Sequence, residues 1–352
     1  MKDINELAMV DMASVDIVPG TNRLVAYYQV INPTGSASRQ TGPAKASVYT
    51  YYVSEESPGR FNEETRKIMS RMLFTQHIQC YVFTERFART GMVDLFNYLE
   101  LNPDRRTNVY VVVTDAPIRN IMESFTPLDR VPGRNLRMLM DLQAKSAGFT
   151  RKLTQVKDIV AGIPLSRPTV IPMLHYHGKR PASLSDRVEY IQASDPGFEI
   201  SDGAVFVHAK MVGKIDQSMK KLYFVLNGDA RKGVESIVVN GSIVDLELRD
   251  IKVKRKWGPS RLRITVHVKL RGLFNEQKKH LSGRNLNEIE RSFNEAYKKK
   301  AEEFIRFGRE KDWDLLGIGD VKQGRGRWRD FDVSIEVKSM AVLIGNTRTP
   351  YQ

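Results

Sequence analysis

The chain has a single cysteine, Cys80, among its 352 residues. That excludes an internal disulfide framework and a cysteine-based zinc cluster. No uncharged apolar stretch approaches the roughly 20 residues that a membrane-crossing helix requires. The opening residues show no basic stretch followed by an apolar core, so a secretory leader is not visible in them. There is no Walker-type phosphate loop and no Gly-x-Ser-x-Gly nucleophile elbow. Gly317-Ile318-Gly319 lacks the third glycine, the preceding strand and the following helix of a dinucleotide loop, and is expected to be a turn. No internal repeat of solenoid period is present.

What is present can build a sizeable core. The composition is 41% hydrophobic and 27% charged, which excludes wholesale disorder. The length suits two or three domains. The formal net charge is +14, and it is unevenly spread. Residues 1–200 carry 24 basic against 21 acidic side chains, whereas residues 201–352 carry 31 against 20. Either the second half faces an anionic neighbour (nucleic acid, a membrane surface or an acidic protein) or it is a solvated basic face.

The first ~180 residues alternate strand and helix signals. Leu7 to Val18 and Leu24 to Ile31 flank Pro19-Gly20-Thr21-Asn22 and read as a hairpin. Residues 33–46 read as a loop and Val48 to Val53 as a strand. Helices are predicted over Asn62 to Phe74 and Gly91 to Leu101, with further helices near 117–125, 134–147 and 151–161. Strands are predicted over Ile78 to Thr84, Val109 to Thr114 and Val170 to Tyr176. Turn formers over 178–202 mark a boundary. Ala204 to His208 and Met211 to Ile215 form a second hairpin, followed by a helix that Asn227-Gly228 ends. Further on, Leu262, Ile264, Val266, Val268 and Leu270 alternate strictly with polar residues, as in a half-buried strand with a basic outer face. A strand from Ile251 to Trp257 precedes it. Leu286, Ile289, Phe293, Tyr297, Ala301 and Phe304 follow at helical spacing, with Asn285 as N-cap, Glu288 completing a capping box and Gly308 closing the helix. The expected fold class is mixed α+β. Three domains are expected, each a β-sheet packed by helices: an α/β domain over 1–180, a small α+β domain over 181–232, and an α+β domain over 233–352 with a long helix at about 285–307.

Candidate chemistry is sparse. His175 and His177 form His-x-His on a strand, which suits either a partial metal site or a packed edge. His77 and Cys80 read as structural residues beside and within a buried strand. Asp11 and Asp16 have an odd spacing that puts them on opposite faces of a regular strand, a poor acid–base pair. Gly324-Arg325-Gly326-Arg327-Trp328-Arg329 could grip phosphates or stack on bases, or be an exposed turn. No catalytic residue, cofactor site or metal site is assigned.

The order of motifs carries a resemblance. Ile4-Asn5-Glu6-Leu7-Ala8 is followed by Arg71-Met72-Leu73-Phe74-Thr75-Gln76-His77-Ile78, then Glu85-Arg86-Phe87-Ala88-Arg89-Thr90-Gly91 and Asp94-Leu95-Phe96. Gly203-Ala204-Val205-Phe206 and Lys210-Met211-Val212-Gly213 come next. Ile289-Glu290, Asp314-Leu315-Leu316-Gly317-Ile318-Gly319 and Trp328-Arg329-Asp330-Phe331 close the series. Over nearly its whole length the chain resembles the C subunit of bacterial spore germinant receptors, the Ger(x)C lipoprotein family. One departure is the short stretch Asp320 to Arg327, where the family has a longer segment containing Pro and Trp.

The resemblance implies three domains of α/β character and a non-enzymatic subunit. It implies a secreted, palmitate-type lipoprotein on the outer face of the spore inner membrane, working with integral-membrane subunits of A and B type to trigger germination. The lipidated cysteine would lie just ahead of Lys2, and Met1 is expected to be a cloning start. A lipid anchor gains from a basic patch on an anionic membrane. The residues expected to form this partner or membrane surface are Lys252, Lys254, Arg255, Lys256, Lys298, Lys299, Arg325, Arg327 and Arg329. Nucleic acid is not the expected partner. A nucleic-acid-binding protein using the basic half, and an extracytoplasmic small-solute receptor, are the alternatives.

Overall fold

The structure is a computed structural model that describes residues 6–33, 47–101, 105–124, 126, 129, 131–146, 155–177, 197–275, 283–321 and 327–342. Most of the expected loop over 33–46 and most of the boundary segment over 178–202 lie outside the described residues. The chain forms two compact units. The first comprises Met1–Asp141, Arg151–Pro164 and Thr169–Gln217; the second comprises Leu142–Thr150, Leu165–Pro168 and Ser218–Gln352.

The first unit is built on a nine-stranded sheet. Its strands are β1 (Leu7–Ile17), β2 (Leu24–Ile31), β3 (Val48–Glu55), β4 (Met72–Phe74), β5 (Cys80–Thr84), β6 (Tyr110–Thr114), β7 (Thr169–Tyr176), β8 (Phe198–Val207) and β9 (Lys210–Ile215). The order is β3-β2-β1-β5-β6-β7-β8-β9, with β4 paired to β1. The hairpin of β1 and β2 forms as the sequence predicts. Strands β1, β5, β6 and β7 are parallel, and antiparallel pairs complete both sides. The fold is therefore mixed α+β, as expected.

Helices cover both faces of this sheet, which is why β6 is buried at every residue and reads as an unbroken apolar run. Helices α1 (Phe61–Ile68), α2 (Glu85–Thr90) and α3 (Val93–Leu101) come before β6, and α4 (Ile118–Met122), α5 (Pro132–Ser146) and α6 (Val156–Gly162) come after it. Phe83, Phe87, Phe96, Val111 and Ile159 lie in the core on one face. Cys80, Val82, Val112, Ile121 and Leu136 lie in the core on the other. The chain thus leaves β5 toward one face and β6 toward the other.

Several expectations are corrected. The helix predicted over Asn62 to Phe74 stops at Ile68, because Met72–Phe74 pairs with β1 instead. The pairing edge of β1 overrides the helical spacing. Asp11 and Asp16 are not on opposite faces. A register shift between Val10 and Met12 turns Asp11 toward α5, the side that Met12 faces. The segment expected as a middle domain contributes β8 and β9 to the nine-stranded sheet, while its helix α7 (Gln217–Leu226) falls almost wholly in the second unit. The C-cap of α7 follows the prediction, with the Asp229 N–H donating to Phe224 O and the Gly228 N–H to Val225 O, both at 2.8 Å.

The second unit carries a four-stranded sheet of β10 (Gly233–Val239), β11 (Ser242–Trp257), β12 (Arg261–Asn275) and β13 (Asp332–Ala341), in that order. Helix α8 (Gly283–Lys311) connects β12 to the parallel strand β13 and contacts β10 and β13. Its residues Ile289, Phe293, Tyr297, Ala301 and Phe304 are buried, as are Leu262, Ile264, Val266, Val268 and Leu270 of β12. Strand β11 is longer than predicted. Asp250, at φ 51°, bulges out of the ladder and resets the alternation, which separates the regular pattern of Val244 to Arg249 from that of Ile251 to Trp257. Helix α8 also runs past Gly308. It ends at Asp312 (φ 59°), with the Trp313 N–H donating to Gly308 O at 2.8 Å. Gly308 stays inside the helix because an added Cβ would sit 3.0 Å from Trp313 O and 3.1 Å from Leu315 Cδ1.

Candidate functional site

The loop after α8 explains one family motif as architecture. Asp314 accepts from the N–H groups of Ile318 (2.9 Å) and Gly319 (2.7 Å), capping the short helix α9 (Ile318–Val321). It also accepts from Ser166 Oγ at 2.8 Å. Asp320 accepts from the backbone N–H groups of Ser166 (2.5 Å) and Arg167 (3.1 Å). Gly317 sits at φ 65°, and a Cβ on Gly319 would lie 2.7 Å from Ser166 Oγ. Gly317 is therefore needed for a left-handed turn and Gly319 for a close approach; Gly317 is in a turn as the sequence predicts, whereas Gly319 already lies in the short helix α9.

Arg255 belongs to this same assembly. Its guanidinium donates to Leu316 O (3.0 Å), Leu226 O (2.8 Å) and Asn227 Oδ1 (2.8 Å). Burial lowers its pKa from the ordinary guanidinium value, and Arg167 adds to this while Asp229 and Asp314 oppose it. Arg255 therefore holds the interior of the second unit and does not share a surface with its neighbours Lys254 and Lys256.

The outer face of the four-stranded sheet is the main basic surface. Lys252, Lys254, Lys256 and Arg263 are exposed, and His267 is half-buried. The register sets Lys256 beside Arg263, Lys254 beside Thr265 and Lys252 beside His267. Beyond His267, on β13, stands Lys338, and beyond Thr265 stands Glu336. At one end of the face Arg261 pairs with Asp332 at 2.9 Å. At the other end Lys269 pairs with Asp250 at 2.8 Å and Arg271 with Glu247 at 3.5 Å. Lys338 pairs with Glu336 at 2.9 Å. Lys252, Lys254, Lys256 and Arg263 make no ion pair among the described residues.

The remaining residues expected at the surface are dispersed. Lys298 and Lys299 are exposed on α8, which packs on the opposite face of the sheet, and Lys298 pairs with Glu302 at 3.7 Å. Arg329 pairs with Asp312 at 2.6 Å. Arg327 is exposed, and Arg325 lies outside the described residues. Arg263, which the alternation of β12 already puts on a basic outer face, was not among the residues expected at the partner surface, and Lys338 was missed altogether. The alternation along β12 and β13 was the signal that could have found them.

The first unit has a cleft of about 480 Å³ at the C-terminal ends of β5 and β6, lined by charged side chains. Such crevices, where successive connections leave a parallel sheet toward opposite faces, commonly take ligands. Here the charges are matched to one another. Asp16 is held by Arg86, and it accepts from Thr84 Oγ1 at 2.5 Å. Burial alone would raise the pKa of Glu85, but Lys214 (2.5 Å) and Arg89 (2.7 Å) hold its carboxyl below the ordinary range. Asp115 stands 3.4 Å from both Lys214 Nζ and His175 Nδ1. His177 bonds a different partner, Glu199, at 2.6 Å, so the two histidines do not converge. No group of three metal-ligand side chains occurs among the described residues. Cys80 is fully buried, and that burial pushes its thiol pKa up.

Comparison with known proteins agrees with the motif order. Residues 1–176 match the family model described as "Spore germination protein N-terminal domain", and residues 201–344 match "Spore germination B3/ GerAC like, C-terminal". "Spore germination protein KC" of Bacillus subtilis (strain 168) is 23% identical over 341 residues, covering 91% of this chain and 82% of the relative. "Putative spore germination protein YfkR" of the same organism is 25% identical over 140 residues, which is 39% of this chain and 36% of that protein. The crystal structure of the GerBC protein superposes with a TM-score of 0.50 at 12% identity, covering 94% of this chain and 97% of that one, and so shares the fold. With both family models in sequence along one chain, this protein belongs to the spore germination proteins of the germinant-receptor C-subunit family.

Proposed function

We propose that this chain is a non-enzymatic subunit of a nutrient germinant receptor, acting through contacts with integral-membrane subunits of A and B type. In this reading it is lipid-anchored at the outer face of the spore inner membrane. The observation that carries the reading is the pair of family models that together span most of the chain. The test is isolation of the tagged native protein from spores, with the inner membrane solubilised in detergent. Membrane fractionation and co-purification of the two integral subunits are expected. A native protein recovered in the aqueous fraction, without either subunit, would overturn it.

A second reading is favoured by the cleft beside Arg86, Arg89 and Asp115. Its place at the C-terminal ends of β5 and β6, where the connections leave toward opposite faces, is where small solutes commonly bind. Calorimetry with amino acids and sugars tests it, and an absence of heat at millimolar solute dismisses it.

A further inference from the structure

We propose that the outer face of the β10-β11-β12-β13 sheet docks on an anionic phospholipid bilayer. The inference rests on the membrane-surface reading above and adds the face, the residues and the ligand chemistry.

The argument begins with what the sheet does with its charges. At both ends of the face every cation named above has a carboxylate partner. In the middle, Lys252, Lys254, Lys256 and Arg263 make no close ion pair among the described residues, Lys252 and Arg263 acting only at longer range on Asp250 and Glu336, and Lys256 faces Arg263 directly across the ladder. Like charges directly opposite on a sheet are destabilising. On β13, Asp332 is engaged by Arg261 and Glu336 by Lys338. A face that pairs its ends and leaves an excess of cations at its centre presents a ready site for several anions at once.

Two features select a lipid surface over other polyanions. The cations lie on two adjacent strands, about 5 Å apart across the ladder and about 7 Å apart along it. They thus present a broad array rather than a groove around one strand of polymer. The same face also carries aliphatic side chains at the turn between β10 and β11. Val238 lies opposite Ile243, and they are 66% and 49% exposed. Ile237 and Val244 beside them point to the buried side, so Val238 and Ile243 share the face of the lysines. These aliphatics stand about 30 Å along β11 from Lys252, beyond Asp245 and Glu247 at the far end of the same face, and suit the boundary between headgroups and acyl chains, which a nucleic acid does not offer.

The test is sedimentation with vesicles of phosphatidylcholine alone and of phosphatidylcholine with phosphatidylglycerol. Binding is expected only to the anionic vesicles and is expected to weaken steeply with salt. Each Lys or Arg near an anionic surface contributes on the order of fivefold to partitioning. The variant K252E/K254E/K256E/R263E is therefore expected to lose binding by several hundredfold or more. All four residues are exposed, and the set K252Q/K254Q/K256Q/R263Q gives the same reading with less perturbation. The variant K298E/K299E, on the helix that covers the other face, is expected to keep vesicle binding. In V238W the new indole is expected to shift its emission to the blue on anionic vesicles. Loss in K298E/K299E equal to that in the sheet variants would overturn the proposal. So would wild-type protein that ignores anionic vesicles, whether or not it binds oligonucleotides. The receptor reading is judged separately. If the native protein still co-purifies with the integral subunits while vesicle binding is absent, only the lipid-docking inference falls.

Discussion

Replacing Asp11 by Asn is expected to remove a pH dependence built into the first unit. Asp11 is 3% exposed beside the first turn of α5, where it accepts from the Arg134 N–H at 3.2 Å. Burial raises its pKa from the ordinary 3.8 to about 6, outweighing the hydrogen bonds from Arg134 and Gly133. A carboxyl whose folded pKa exceeds its unfolded value stabilises the fold fully below the unfolded value, and that stability is lost as pH rises through the folded one. The window is therefore pH 4 to about 6. At 1.36 kcal/mol per pKa unit the loss is about 3 kcal/mol. Asn keeps an acceptor for the Arg134 N–H and carries no charge to bury. The stability of wild type minus that of Asp11→Asn should thus fall by about 3 kcal/mol between pH 3 and pH 7.5. The three tryptophans, Trp257, Trp313 and Trp328, all lie in the second unit, so a probe that reports on the first unit is needed. Urea unfolding followed by far-UV circular dichroism, with hydrogen exchange of the α5 peptide, is the suitable assay. A difference that stays constant with pH would refute the reasoning.

Other substitutions probe packing and caps. Gly308→Ala gains about 1 kcal/mol in helix propensity, but its Cβ would meet Trp313 O at 3.0 Å. The net expectation is a loss of about 1–2 kcal/mol, read from the urea midpoint of tryptophan fluorescence, and a more stable variant would count against the packing account. Arg255→Met should cost the second unit about 2–4 kcal/mol, because it leaves the carbonyls of Leu226 and Leu316 without their donor; an unchanged midpoint contradicts this. Thr84→Val removes the cap on the Phe87 N–H (3.2 Å) and the donor to Asp16. It should cost about 1–2 kcal/mol while Thr84→Ser costs little, and equal losses in both variants would assign the effect to packing instead.

Much of the fold was legible because periodicity survives where packing is regular. The alternation of Leu262 to Leu270 and the spacing from Ile289 to Phe304 both mark the buried face that forms. Legibility fails at irregular backbone. The bulge at Asp250 splits the alternation of β11, and the register shift before Met12 reverses the side that Asp11 occupies. It fails again where tertiary pairing competes with local preference, as at Met72–Phe74. The basic surface was half legible. A run such as Lys252 to Lys256 names charges without sorting them by face, and strand alternation alone puts Arg255 opposite its neighbours. Arg263 and Lys338 join the patch through ladder register, which links residues far apart in sequence.

The hold of Asp314 and Asp320 on Ser166 and Arg167 bears on the order of assembly. These contacts span 148 and 154 residues of chain. Ser166 and Arg167 leave the ribosome early, within the stretch matched by the N-terminal family model, yet they complete the unit formed by the C-terminal half. Their partners emerge only near the end of synthesis. Closing so long a loop makes this step late and entropically costly. The two family segments are consequently not two beads on a string. A fragment cut between them would leave the C-terminal carboxylates without the amides they grip, so the chain must be produced whole to finish its second unit.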